Sequence, residues 1–203
     1  PFKEALEKAL KRPIPKFVNG WFCFGGIAFF LFVVQVITGI LLAVYYKASP
    51  EDAYESIKFI INEVPLGWLI REIHVWTAHI LILAVIIHTA RVFFHKAYRP
   101  PRELNWMVGV LLLFITLGFG FTGALLSWDS AAYGATVQGT EMLGKLPILG
   151  HAAMILIRGG PNITGATLTR FFAVHALVLP WFITYLLIAH FLMIRKQGIS
   201  QPL

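Results

Sequence analysis

Four histidines of this 203-residue chain fall into two spaced pairs, His74 with His88 and His175 with His190. On an α-helix an interval of 14 residues turns through about 1400°, 40° short of four turns, and rises about 21 Å. The interval of 15 ends about 60° past four turns, so each pair shares one helix face. A neutral imidazole is a ligand for iron, and two facing imidazoles are what a bis-histidine haem requires. Helices carrying these pairs side by side in the same direction would set His74 against His175 and His88 against His190. The two irons would then stand roughly 20 Å apart, as a transmembrane electron path.

The elements that must hold such pairs are apolar. The chain is 58% hydrophobic and 13% charged, with mean hydropathy +0.73, too little charge to coat a water-facing surface. Four segments reach the roughly 20 residues that cross a bilayer: Trp21–Tyr46, Trp68–Phe94, Leu104–Leu126 and Phe171–Ile194. The expected fold is all-α, an integral membrane four-helix bundle, with residues 1–203 forming one domain without internal repeats. Formal net charge is +7, but the charge sits between apolar runs rather than on a solvated basic face, which argues against nucleic acid.

Charge placement predicts topology. The segment before the first span, the second-to-third loop and the C-terminal tail hold 11 of the 17 Lys and Arg residues, against only Glu4, Glu7 and Glu103. By the positive-inside rule both termini lie on the cytoplasmic or equivalent negative side, the n-side, opposite the p-side. Spans two and four then both run from p-side to n-side.

Pro1–Lys16 places Phe2, Leu6 and Leu10 at helical spacing and reads as an amphipathic helix on the n-side interface, or as a frayed end. Residues upstream of Pro1 are expected. The 44-residue connection Ser127–Arg170 is long enough to be ordered and functional, and is expected to form two short helices at the p-side surface.

Other residues fit a haem without requiring one. Gly25 and Gly39 in span one, and Gly109 and Gly123 in span three, repeat the 14-residue interval. They admit either a flat macrocycle or a neighbouring helix. Arg71 and Arg91 bracket span two, and Arg170 precedes His175; each could pair with haem propionates or simply snorkel to the interface. Arg195 and Lys196 read as a basic stop after the last span. His79 sits about 140° from His74, and His95 and His151 fall in loops, so none of these three is expected to be a ligand. The one cysteine, Cys23, cannot form an internal disulfide and is either a filler or a site of chemistry.

The stretches Phe22-Cys-Phe-Gly-Gly-Ile, Gly67-Trp-Leu-Ile-Arg-Glu-Ile-His, Pro101-Arg-Glu-Leu-Asn-Trp, Thr167-Leu-Thr-Arg-Phe-Phe-Ala-Val-His and His190-Phe-Leu-Met-Ile-Arg-Lys-Gln-Gly-Ile-Ser resemble cytochrome b6. That family is the four-helix N-terminal half of a split cytochrome b in b6f/bc complexes, and the resemblance covers essentially the whole chain. It implies a quinol oxidoreductase subunit, inactive alone, that passes electrons from p-side quinol through two b haems to quinone at the n-side. The implied ligands are His74 and His175 for the p-side haem, and His88 and His190 for the n-side haem. A 15-residue second interval and an end at Leu203 are features of the split form. Cys23 would carry a third, covalent haem c by a single thioether, with Arg195 and Lys196 near its propionates or the reduced quinone.

Implied partners are a separate subunit IV, a Rieske iron–sulfur protein and a c-type cytochrome, in a dimeric complex. The implied location is a bacterial cell membrane, with the n-side motifs most similar to menaquinol-oxidising forms, or alternatively a thylakoid membrane. Two departures stand out. Around Trp128 and Asp129, the implied p-side quinol region, the family's Tyr and Pro are Ala124 and Ser127, which is expected to loosen the turn and remove bulk. Val75 stands where the family commonly has an Arg, leaving the p-side haem one positive neighbour fewer. The competing readings are a di-haem anchor of a dehydrogenase or hydrogenase, which leaves Cys23 and the long loop unexplained, and a transporter with histidines along its pathway.

Overall fold

The computed structural model describes residues 20–198, so the expected surface helix at Pro1–Lys16 lies outside the described residues. Among those residues the chain is helical and without strands. A 3₁₀ turn, Gly20–Phe22, leads into α1 (Phe24–Ala43), followed by α2 (Ala53–Asn62), α3 (Gly67–Phe94), α4 (Glu103–Leu125), α5 (Ser130–Gly144), α6 (Gly150–Arg158) and α7 (Gly165–Ala173). A π-turn, Val174–Val178, joins α7 to α8 (Leu179–Gln197).

Four of these units are long and apolar enough to cross a membrane: α1, α3, α4 and the continuous 33-residue run Gly165–Gln197. The last begins six residues before the expected start at Phe171. Its first turn is set by a capping box, in which the Thr164 N–H donates to the Thr167 hydroxyl at 3.0 Å, so the helix nucleates outside the apolar run. The two helices expected in the long connection are α5 and α6. Helix α2 was not expected, because its ten residues are too short an apolar run to span and are interrupted by Glu55 and Lys58.

Helix α1 packs along α3, and α4 packs against both α3 and α8. The outward faces carry Phe30, Ile40, Trp76, Phe114 and Trp181, all exposed, as lipid-facing surfaces require. The inward face of α4 and α8 forms a core of Leu112, Ile115, Ile183 and Leu186, flanked by Phe32, Val108, Phe119, Leu179 and Leu187. In sequence this layer falls between Gly109 and Gly123 on one helix and between His175 and His190 on the other. It therefore separates two depths of the bundle, for whose ends we keep the names n-side and p-side.

Several ties fix the ends. At the p-side, the Tyr46 hydroxyl, three residues beyond α1, donates to the Leu126 carbonyl at 2.8 Å; burial raises its pKa above the ordinary tyrosine range. Arg158 is buried and donates to the Thr140 hydroxyl at 2.7 Å, the Pro161 carbonyl at 3.2 Å and the Val137 carbonyl at 3.3 Å. It thereby joins α5, α6 and the approach to α7. At the n-side, Arg102 donates to the Gln197 carbonyl at 3.0 Å, and the Gln197 amide donates to the Pro101 carbonyl at 2.9 Å.

Candidate functional site

The four paired histidines all point into the bundle, where each meets a glycine. A Cβ built on Gly39 would lie 3.2 Å from Cε1 of His74, and one on Gly123 2.7 Å from Cε1 of His175. At the other depth, Gly25 would meet His88 at 2.9 Å and Gly109 would meet His190 at 3.5 Å. Contacts of 2.7–2.9 Å leave no room for a methyl group unless the ring shifts, so at Gly123 and Gly25 the missing side chain lets an imidazole approach the backbone. The rings pair across the bundle as well: His74 lies within electrostatic range of His175, and His190 within range of His88.

Sequence reasoning missed the threonines of the p-side pair. The Thr38 hydroxyl lies 2.8 Å from Nδ1 of His74 and donates its own proton to the Val34 carbonyl at 2.7 Å. With that proton on Val34 the hydroxyl oxygen accepts from Nδ1–H, the tautomer that leaves the lone pair on Nε2. Thr122 repeats the arrangement, 2.9 Å from Nδ1 of His175 and donating to the Gly118 carbonyl at 2.8 Å. The available signal was a Thr-Gly dipeptide at the p-side level of both α1 and α4. Gln35, also missed, donates to the His74 carbonyl at 2.7 Å.

The n-side level is different. Nδ1 of His88, Nε and Nη2 of Arg91, Nε of Arg102, Oδ1 of Asn105 and Oε1 of Gln197 are buried without a hydrogen-bond partner among the described residues. The Arg91 guanidinium lies 3.6 Å from the ring centre of Phe22, next to the free and exposed Cys23. Unmet buried polar groups cost free energy, and this group of them suits a large ligand carrying carboxylates.

Other candidates are placed less centrally. Arg71 pairs with Glu72 at 2.7 Å, and Arg170 packs on Gly159 and donates to the Ala166 carbonyl at 3.3 Å. Arg195 and Lys196 are exposed at the end of α8. Asp129 caps α5, accepting from the Ala132 N–H at 2.8 Å, and Trp128 adopts φ 49° with its ring edge-on to Tyr133. Where a looser turn was expected, Ser127 Oγ donates to the Ala124 carbonyl and the Trp128 N–H to the Leu125 carbonyl, both at 3.2 Å. Val75 offers its carbonyl to His79 at 2.8 Å. His79 and His151 are exposed, and His95 bonds the Arg91 carbonyl at 3.0 Å.

Among the described residues no three His, Cys, Asp or Glu side chains gather to hold a bare metal ion. Paired imidazoles suit an iron whose four in-plane ligands come from a porphyrin. Glycines at both depths leave the rings free to approach, so the residues present fit haem at two levels.

Residues 9–198 match the family model described as cytochrome b/b6/petB. The chain belongs to the cytochrome b/b6 family. It is 49% identical over 183 residues to the menaquinol:cytochrome c reductase cytochrome b subunit of Bacillus subtilis, covering 90% of this chain and 82% of that one. It is 45% identical over 190 residues to the cytochrome b6 of Crocosphaera subtropica, covering 94% and 86%. With the cytochrome b6 of Gloeobacter violaceus it shares 44% over 208 residues, covering 100% and 97%. Among solved structures it resembles a chain of a hyperthermophilic respiratory complex III, with TM-score 0.90 and 32% identity over 98% of this chain. This chain spans about half, 54%, of that longer one. An all-helical membrane bundle is thus shared with other cytochromes b.

Proposed function

We propose that this cytochrome b/b6 chain is the haem-bearing electron-transfer subunit of a quinol:cytochrome c or quinol:plastocyanin oxidoreductase, with His74 and His175 holding the p-side b haem and His88 and His190 the n-side one. The observation that carries the reading is the meeting of four imidazoles with four glycines at two depths. When bound, the haems supply one-electron redox chemistry. The protein's part is to orient the ligands, space the two levels and exclude water between them.

Each residue then has a task. Thr38 and Thr122 hold the p-side imidazoles with Nε2 free for iron, as ligating histidines require of their neighbours. Arg91, left with buried unpaired nitrogens, receives propionate carboxylates at the n-side. Arg71 is the p-side candidate for the same task once released from Glu72. Cys23 supplies a thiol to a third haem by one thioether, and its exposure beside the Arg91–Phe22 stack supports that role. Arg195 and Lys196 attract anionic groups to the n-side surface.

In this reading quinol is oxidised near Trp128 and Asp129, one electron leaving for a Rieske protein and the other crossing to quinone at the n-side. Its protons leave at the p-side, and protons are taken up at the n-side. The partners are subunit IV, the Rieske iron–sulfur protein and a c-type cytochrome, in a dimer. The membrane is that of a bacterial cell, with both termini on the cytoplasmic face.

The test is a reduced-minus-oxidised spectrum of the purified complex, with two b-type components expected. His88→Leu or His175→Leu should each remove one component and leave the other. Retention of both b haems in either variant overturns the ligand assignment. On a denaturing gel, haem staining should follow this chain and vanish in Cys23→Ser.

A further inference from the structure

The two histidine intervals differ by one residue, 14 in α3 against 15 in the fourth span. In uninterrupted α-helix the extra residue would turn one pair about 100° relative to the other. Both pairs nevertheless keep one register. Gly109 and Gly123, 14 residues apart on the uninterrupted α4, meet His190 and His175 respectively.

The discrepancy is absorbed at Val174–Val178. The Leu179 N–H reaches back five residues to the Val174 carbonyl, and such a π-turn accommodates one inserted residue within an α-helix. The next residue is Pro180, which has no N–H. Residue 180 therefore cannot close an α-type bond to Ala176 or a π-type bond to His175. The Leu179 amide, which would serve His175 in an α-helix, is already committed to Val174. The His175 carbonyl thus has no donor from its own helix, and the turn has no simple way to tighten.

We propose that the π-turn held by Pro180 is a register device, letting a 15-residue interval serve a 14-residue site. Pro180 is then a positioning residue acting through His175. The inference rests on the ligand assignment proposed above.

The test uses the assembled membrane complex and two one-residue deletions at similarly exposed leucines, Leu177 inside the π-turn (58% exposed) and Leu83 in the regular α3 (57%). Deleting Leu177 returns the segment to α-helix. Both b haems are retained, the low-spin EPR signal of the p-side haem shifts, and the n-side signal does not. The regular α3 has no π-turn to absorb the loss of Leu83, so that deletion turns His88 about 100° from its present direction, to about 140° from His74, and removes at least one b haem. Loss of a b haem from an accumulating Leu177-deleted chain overturns the proposal. If that chain does not accumulate, Pro180→Ala decides: a shift confined to the p-side EPR signal supports the proposal, and two unmoved signals overturn it. Absence of two b haems from the unaltered complex would instead defeat the ligand assignment, so the two failures are distinguishable.

Discussion

The Thr38 hydroxyl stands 2.8 Å from Nδ1 of His74 and 2.7 Å from the Val34 carbonyl; with its proton given to Val34, its oxygen accepts from Nδ1–H, the tautomer that leaves Nε2 free. A donated Nδ1–H shifts electron density toward Nε2 and favours the ferric state of a bound iron. Thr38→Val or Thr122→Val should therefore raise the midpoint of the p-side haem while leaving the n-side haem unchanged. One hydrogen bond of about 1 kcal/mol corresponds to about 40 mV for a one-electron couple. A redox titration followed at the b-band absorbance checks this, and Thr→Ser should restore the original value.

The four glycines should respond to a methyl group in the order of their clearances. Gly123→Ala and Gly25→Ala, at 2.7 and 2.9 Å from Cε1 of their histidines, require ring displacement; Gly39→Ala, at 3.2 Å, is intermediate; Gly109→Ala, at 3.5 Å, is ordinary contact. Overpacking of this kind costs about 1–3 kcal/mol. The b-type pyridine haemochrome content per chain should fall toward half of normal for the first two and stay near normal for Gly109→Ala. The reverse order would rule out this packing account.

Arg158 holds the p-side connection by donating to Thr140, Val137 and Pro161 from a buried position. Arg158→Met removes three hydrogen bonds, of which the one to the Thr140 hydroxyl is buried, at about 0.5–1.5 kcal/mol for each. Limited proteolysis between Gly144 and Gly165 should accelerate at least tenfold while the b-haem spectrum is retained. Equal proteolysis rates would show that α5 and α6 are held otherwise.

Tyr46 ties the end of α1 to the end of α4 through the Leu126 carbonyl. Its raised pKa keeps the donating proton in place through neutral and moderately alkaline pH. Tyr46→Phe keeps the ring against Phe172 and loses the bond, at about 1 kcal/mol. The expected outcome is a lower thermal midpoint for the complex, by a few degrees, with quinol oxidation slowed more than the equilibrium haem spectra change.

Much of the architecture was legible because bilayers impose long apolar runs, and runs such as Phe24–Ala43 have few other uses. Helix periodicity and the direction of the spans led to the expectation that His74 faces His175 and His88 faces His190. What periodicity cannot express was invisible: intervals of 14 and 15 residues differ by about 100° of turn, and only Leu179 reaching back to Val174 shows how that difference is absorbed. The hydroxyls of Thr38 and Thr122 were legible in kind but not in direction, since threonine inside a membrane helix normally bonds its own backbone. These two do that and accept from a neighbour too. Arg71 illustrates the opposite limit, because its guanidinium turns to the adjacent acid, Glu72, although neighbours in sequence do not ordinarily face each other on a helix.

The layer of Leu112, Ile115, Ile183 and Leu186 offers neither oxygen nor nitrogen on its side chains along which a hydronium could hop. Between these four side chains an electron can tunnel but a proton finds no relay. The middle of the molecule therefore behaves as a capacitor's dielectric, sustaining a voltage that a wetter core would discharge.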